Sequence, residues 1–266
     1  MIPYFNNMAS LVASLASVGV HEQCDVLVVD DGSLADPVDE EVARASFSAQ
    51  GTLQVLRLPE NQGIEGALNA GLDWIVERDY EFIARLDCGD ENIPDRLARQ
   101  ERFLDDHPGV LLVGGAASFV NEAGVEQFVL REPTTRAAIV ELMRRNSAFV
   151  HPSVMFRTSA LPLVGRYPLD VPGAEDYAYF WRFLEVGEVA NLPDVLIRYE
   201  LDPSGISLGR RARQLSSRLK VQQAHDDGSW AARVGIMRTK VLQRLPYGVV
   251  FKAKRALNAR RGSAAP

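Results

Sequence analysis

The chain has 266 residues, 47% hydrophobic and 24% charged, the composition of a soluble globular protein with a real core. Its two cysteines, Cys24 and Cys88, exclude a disulfide framework and stand in no metal-finger spacing, and no apolar run reads as a bilayer span or a secretory segment. The net charge of −6 conceals a split: residues 1–208 hold 15 Arg, no Lys and 33 acids, a balance of −18, whereas residues 209–266 hold 14 Lys and Arg against 2 acids, a balance of +12. That asymmetry predicts a change of role near residue 208, and the cysteine usage predicts a reducing, cytoplasmic setting.

The chain opens on "IPYFNN" (2–7), with almost none of the strand that should precede Pro3, which implies a shortened edge or a start placed too late. "CDVLVVDDGS" (24–33) is an apolar run ending in acids and Gly, the pattern of a buried parallel strand emptying into a loop. "TLQVLRLPENQG" (52–63) repeats the form, and "IEGALNAGLDWIVER" (64–78) carries a helical stripe through Ile64, Ala67, Leu68, Leu72 and Ile75. "YEFIARLD" (80–87) predicts a strand, "PDRLARQERFLDDHP" (94–108) a helix and "GVLLVGGAASFV" (109–120) a strand. Further on, 134–146 reads as a helix capped by Thr134, "FVHPSVMFR" (149–157) as a strand interrupted by Pro152, and "GAEDYAYFWRFLEVG" (173–187) as a helix with acids in its first turn. "VLIRYELDPSGISL" (195–208) reads as a strand running into a loop, and the remainder as basic helix. Strands alternating with helices predict a mostly parallel α/β sheet of Rossmann-like form, with ligands beyond the carboxyl ends of the strands.

Two acidic clusters, Asp30-Asp31 and Asp87-Asp90-Glu91, follow predicted strands and therefore share one rim. Crowded carboxylates repel unless a cation, a ligand or solvent relieves them. A polar loop ahead of a helix is the plain alternative, since Pro94 suits a first helical position and acids favour a helix N-terminus.

Taken in this order, "IPYFNN", "VVDDGS", "NQGIEGALNAGL", "RLDCGDENIPDRLARQ", "HPSVMFR", "GAEDYAYFWRF" and "LIRYELDPSGIS" resemble the segments of inverting glycosyltransferase family 2, of the type that builds bacterial surface polysaccharides. The resemblance implies a GT-A fold over residues 1–208, followed by a basic helical extension over 209–266. It implies a nucleotide-diphosphate sugar donor held by Pro3, Tyr4, Asn6, Asp30, Asp31, Gly32, Ser33, Asn61, Gly63 and Asp87, and a glycan or lipid-linked acceptor. Asp176 matches the catalytic base, Glu175 a supporting acid, and His151 either orients the acceptor or packs in the core.

The chemistry suits these residue types. Carboxylates accept hydrogen bonds from a base and ribose, which fits Asp30 and Asp31, although a tight Asp-Gly-Ser turn would use the same letters. A departing diphosphate is helped by a hard cation on oxygen ligands, Mg²⁺ or Mn²⁺, with Asp87 as first ligand. Three departures from the family stand out: Gly89 replaces the second acid of Asp-x-Asp, Leu68 stands where an Arg is usual, and Glu200 and Asp202 occupy the closing loop's Arg-x-His. Asp90, the next acid along, and Asp202, arriving from the closing loop, are the residues expected to complete the metal set.

Other functions fit less well. No Gly-x-Gly-x-x-Gly loop follows the first strand, no Gly-x-Ser-x-Gly elbow is present, and residues 1–208 lack the Lys a nucleotidyltransferase uses. A non-catalytic nucleotide-sugar-binding relative remains the alternative that Gly89 suggests. The tail from Ala231 holds nine basic residues and no acid, with apolar residues interleaved, which predicts peripheral attachment to an anionic membrane face; the acidic body argues against nucleic acid.

Overall fold

In the computed structural model, which describes residues 1–201 and 211–245, the run VLVVD forms β2 (Val26–Asp30), buried at every position. Both of its faces are covered. Val26 and Val28 share a core with Leu11 and Leu15 of α1 (Met8–Ala16) and Ala43 of α2 (Glu40–Ser46). Leu27 and Val29 share another with Leu68, Leu72 and Ile75 of α3 (Gly63–Val76). Alternation of side chains between two helix-covered faces is why the strand reads as a continuous apolar run.

β2 lies between β1 (Ile2–Tyr4) and β3 (Leu53–Arg57), parallel to both. The opening strand is thus formed by three residues, with Ile2 opposite Val28 and Tyr4 opposite Asp30. Met1 extends the sheet sideways: its ammonium donates to Ala84 O at 2.9 Å, and its carbonyl accepts the Leu86 N–H at 3.2 Å. β4 (Phe82–Ala84) therefore runs beside β1, and the carboxyl ends of β1, β2, β3 and β4 open on one rim.

Beyond β4 the sheet is mixed. β4 pairs antiparallel with β8 (Met155–Arg157), β8 antiparallel with β6 (Val110–Val120), and β6 parallel with the long β9 (Glu188–Glu200). β5 (Glu91–Asn92) and β7 (Glu126–Leu130) add antiparallel edges to β9 and β6. Helices α4 (Arg96–Asp106), α5 (Arg136–Met143), α6 (Leu161–Val164) and α7 (Glu175–Val186) flank it. The aromatic face of α7 (Tyr179, Phe180, Phe183) joins Phe156 and Leu68 in the main core, tying the second sheet to α3. A parallel sheet with flanking helices is the expected class.

Local expectations need correction at several points. α1, α2, β5 and β7 were not anticipated. Thr135, not Thr134, is the N-cap residue of α5, and its side chain makes no cap bond. Residues 149–157 hold a 3₁₀ turn at His151–Ser153 before the three-residue β8, because Pro152 starts a turn more readily than it joins a ladder. β9 begins at Glu188, well before residue 195.

The basic extension is built onto the body through two helices, Arg211–Ala224 and Trp230–Arg244. His225 stacks on Trp181 of α7, ring centroids 4.5 Å apart, and its Nε2 lies 3.2 Å from Glu185. Gln222 donates to Arg145 O at 2.9 Å, and Gly235 lies so close that a Cβ there would come within 2.4 Å of Arg144 O.

Candidate functional site

The rim is assembled by side chains that tie its loops together. Asp30 Oδ1 accepts the Ser33 N–H at 3.0 Å and Oδ2 the Val38 N–H at 3.2 Å, so its carboxylate folds the loop after β2. Asn6 Oδ1 accepts from Ala35 and Asp36 N–H, both at 3.0 Å, and the Asn6 N–H donates to Ser33 Oγ at 2.9 Å. Tyr4 is buried beside Pro3 and donates to Asp36 O at 2.5 Å. Asp31 reaches across to the start of α3, accepting from Gln62 N at 2.8 Å and Gly63 N at 2.9 Å, while Asn61 donates to Asp31 O at 3.3 Å. Burial raises the Asp31 pKa despite those two donors. Gly32 has φ +67°, and a Cβ on it would meet Glu60 C at 2.4 Å, so this close approach of two loops admits only glycine.

The acid-rich segment is relieved by buried arginines. Arg85 is fully buried and donates to Asp87 Oδ1 at 2.5 Å, to Met1 O at 3.1 Å and to His151 Nε2 at 3.4 Å. Arg96, equally buried, donates to Asn92, Gln100 and Arg85 O at 2.7–2.9 Å, and burial lowers its pKa to about 9. His151 lies beneath the rim. Its Nε2 is 2.9 Å from the Tyr167 hydroxyl, its ring meets Phe180 edge-on, and burial together with Arg85 keeps it neutral.

Asp90 turns inward: Oδ1 accepts the Glu200 N–H at 3.1 Å, Oδ2 has no partner among the described residues, and burial followed by Asp87 pushes its pKa well up. The turn 87–90 is gripped by Ser14 of α1, whose Oγ accepts from Gly89 N at 2.9 Å and donates to Asp90 O at 2.8 Å. Gly89 has φ +104°, and its absent Cβ would lie 3.4 Å from Glu200 Oε2. The carboxylate of Glu200 thus borders the place where a side chain at 89 would begin. Asp202 lies outside the described residues. Leu68 is wholly enclosed in the core, so no cation could replace it without repacking.

Glu175 and Asp176 open α7. Glu175 is buried with Oε2 unpartnered among the described residues, and burial, then Asp176, pushes its pKa up to about 8. Asp176 is half-buried and accepts the Tyr177 N–H at 2.6 Å. Burial raises its pKa, Tyr177 N–H and Arg218 oppose the rise, and Asp87 adds to it, so the two acids share one electrostatic neighbourhood. The structure therefore gathers Asp87, Glu175 and Asp176 with the loops of Asp30 and Asp31 at the strand ends. Sequence reasoning missed Arg85, Arg96, Ser14 and Arg218; the i, i+2 spacing of Arg85 and Asp87 on an extended segment was the available signal. A cavity of about 270 Å³ lined by Cys24, Asp25 and Tyr80 lies at the opposite, amino ends of the strands. The two cysteines are free, and burial pushes their thiols up to about 11 and about 12, away from thiolate character.

An open α/β rim of this kind, at the carboxyl ends of parallel strands, is where ligands bind in such sheets. The chain belongs to Glycosyl transferase family 2, whose sequence pattern matches residues 1–162. Among similar proteins, an uncharacterized glycosyltransferase of Haemophilus influenzae is 29% identical over 192 residues, covering 71% of this chain and 69% of that protein. The amylovoran biosynthesis glycosyltransferase AmsE of Erwinia amylovora is 31% identical over 175 residues, 65% of this chain and 63% of its own length. The GT-A fold is shared with S. aureus TarS 1-349, solved with UDP-GlcNAc (TM-score 0.64, 18% identity, 85% of this chain and 65% of that one). It is shared too with the mannosyltransferase PcManGT of Pyrobaculum calidifontis, solved with GDP-Man and Mn²⁺ (TM-score 0.60, 18% identity, 100% and 74%).

Proposed function

We propose that this chain is an inverting glycosyltransferase of surface-polysaccharide synthesis, moving a sugar from a nucleotide-diphosphate donor to a hydroxyl of a glycan or lipid-linked acceptor. The observation that carries the reading is the pair opening α7: Glu175 is buried with Oε2 unpartnered among the described residues, and Asp176 stands beside it in the first turn, close enough to Asp87 to feel its charge. Asp176 takes the proton of the acceptor hydroxyl as that oxygen attacks the anomeric carbon from the face opposite the departing nucleoside diphosphate. Asp31, Gly32 and Asn61 form the floor on which the nucleotide rests, while Asp30, Asn6, Ser33 and Tyr4 hold that floor in shape. His151 supports Arg85, and through it Asp87, from below.

A divalent cation fits this donor set in a limited way. Among the described residues no three acids, His or Cys gather into a cage. Mg²⁺ and related ions take one or two carboxylates and complete their shell with substrate phosphates and water. Asp87 and Glu200, whose Oε2 borders Gly89, are the two carboxylates we propose to supply them, with Asp90 facing inward. When bound, such an ion would neutralise charge on the leaving diphosphate.

The helix Trp230–Arg244 supports attachment to an anionic bilayer. Trp230, Met237, Val241 and Leu245 are 81%, 67%, 48% and 37% exposed and recur along one stripe, with exposed Arg233, Lys240 and Arg244 on one flank and Arg238 on the other. Among the described residues no helix is long and apolar enough to cross a membrane.

A thermal-shift series with UDP, GDP, ADP and CMP, each with and without Mn²⁺, tests the donor site. A ligand present at 100 times its Kd adds about 2.7 kcal/mol. One diphosphate should stabilise the protein, more strongly with Mn²⁺; no shift with any of them would contradict the reading.

A further inference from the structure

Asp87 stands at the end of a chain of buried polar groups that begins on α3. Asn69 brackets the main chain of Tyr167, donating to its carbonyl at 3.0 Å and accepting its N–H at 2.7 Å. The Tyr167 ring is buried and stacks on Tyr179, centroids 4.0 Å apart, which fixes where its hydroxyl points. That hydroxyl lies 2.9 Å from His151 Nε2, the same nitrogen that faces Arg85 Nε at 3.4 Å. A second guanidinium nitrogen of Arg85 holds Asp87 Oδ1 at 2.5 Å, and the third donates to Met1 O at 3.1 Å.

Arginine only donates, and this sets the direction of every bond in the chain. His151 Nε2 must be an acceptor, so the ring proton is on Nδ1 and the Tyr167 hydroxyl donates. The other tautomer would turn an N–H on the guanidinium and drive it away. A buried hydroxyl is unfavourable unless it is bonded, and a phenylalanine at 167 would keep the stack without needing a partner. The polar chain runs instead to a carboxylate whose side chain is 35% exposed at the rim. Oδ1 of Asp87 is committed to Arg85, and among the described residues no group donates to Oδ2.

We infer that Tyr167 is a positioning residue for Asp87: through His151 and Arg85 it holds the carboxylate so that one oxygen, Oδ2, is left for a divalent cation. This rests on the transferase reading and its cation. Asn69 belongs to the helix whose first N–H groups are held by Asp31, so the nucleotide loop and the cation ligand share one frame.

Tyr167→Phe removes only the hydroxyl; His151→Leu removes the acceptor, and His151→Gln restores one. Mn²⁺ affinity is read by electron paramagnetic resonance on the full chain saturated with whichever of UDP and GDP it binds. The Mn²⁺ Kd should rise at least threefold in Tyr167→Phe and at least tenfold in His151→Leu, with part of that loss recovered in His151→Gln. The nucleotide Kd without metal should stay within twofold throughout. Nitrogen-15 signals of the wild-type histidines, assigned by the loss of one in His151→Gln, should place the His151 proton on Nδ1. Tyr167→Phe keeps the test sound even where His151→Leu disturbs packing. An unchanged Mn²⁺ Kd in Tyr167→Phe, or a His151 proton on Nε2, would overturn the inference. A tenfold loss of metal-free nucleotide binding in Tyr167→Phe would overturn it too, since the chain would then serve the whole rim. A wild type that binds a nucleotide but no Mn²⁺ overturns the cation and this inference together; one that binds no nucleotide overturns the transferase reading itself.

Discussion

Asp87→Ala strips the buried Arg85 guanidinium of its carboxylate 2.5 Å away. The acceptors left to Arg85 are Met1 O at 3.1 Å and His151 Nε2 at 3.4 Å, both longer and neither charged. A buried charge without compensation costs about 3–5 kcal/mol, and a lost charge-assisted hydrogen bond about 1.5–3 kcal/mol. The Asp87 side chain is 35% exposed, so water can enter the vacated position, which favours the lower range, ~2–3 kcal/mol. In an Arg85→Met background the same substitution removes no ion pair and should cost far less. Urea unfolding of the wild type, both single variants and the double variant closes the cycle, with an expected coupling of at least ~1.5 kcal/mol. Strictly additive losses would refute the idea that Arg85, rather than a metal alone, makes the acid cluster tolerable.

Gly32→Ala should lower stability by about 1–3 kcal/mol and weaken nucleotide binding, since its φ is +67° and the new Cβ would press on Glu60; thermal melts and calorimetry with the preferred nucleotide check both, and a silent substitution would deny the close approach of the two loops. Glu175 has a folded pKa of about 8 against an ordinary 4.5, so the stability of its protonated form is full below pH 4.5 and is lost as pH rises through about 8. Each pKa unit is worth about 1.4 kcal/mol, so Glu175→Gln should gain a few kcal/mol relative to wild type between pH 4 and pH 9, and a gap in urea midpoints that does not change with pH would contradict this. Trp230→Ser combined with Met237→Ser, at two exposed positions, should release the protein from vesicles of anionic lipid without lowering its melting temperature, and so should truncation after Pro246; equal vesicle binding by all three proteins would refute the attachment.

The first sheet was legible in the sequence because β2 and α3 carry unbroken physical signals, a two-sided apolar run and a helical stripe, and because Asp30, Asp31 and Asp87 fall where those elements end. α1 escaped notice because "MASLVASLA" buries only Leu11, Ser14 and Leu15, and its main task is to grip Gly89 and Asp90 through Ser14, a contact 75 residues away in sequence for Gly89. The inward turn of Asp90 was hidden for the same reason, since it depends on β9 lying opposite, whereas the pairing of Arg85 with Asp87, two residues apart, was there to be read. Arg218 could not be foreseen at all, since nothing in a basic helix announces that it will pack against the start of α7.

Donor turnover by wild type and Asp176→Asn tests the assignment most directly. The nucleotide-sugar that stabilises the protein is incubated with it and a suitable acceptor, or with water alone for slow hydrolysis, and release of nucleoside diphosphate is followed. Asn keeps the shape of the side chain but cannot take a proton, so the variant should bind the donor with unchanged Kd while turnover falls about 10²–10⁴-fold. Equal turnover by the two proteins, or binding without any turnover in the wild type, would contradict Asp176 as the base of a working glycosyltransferase.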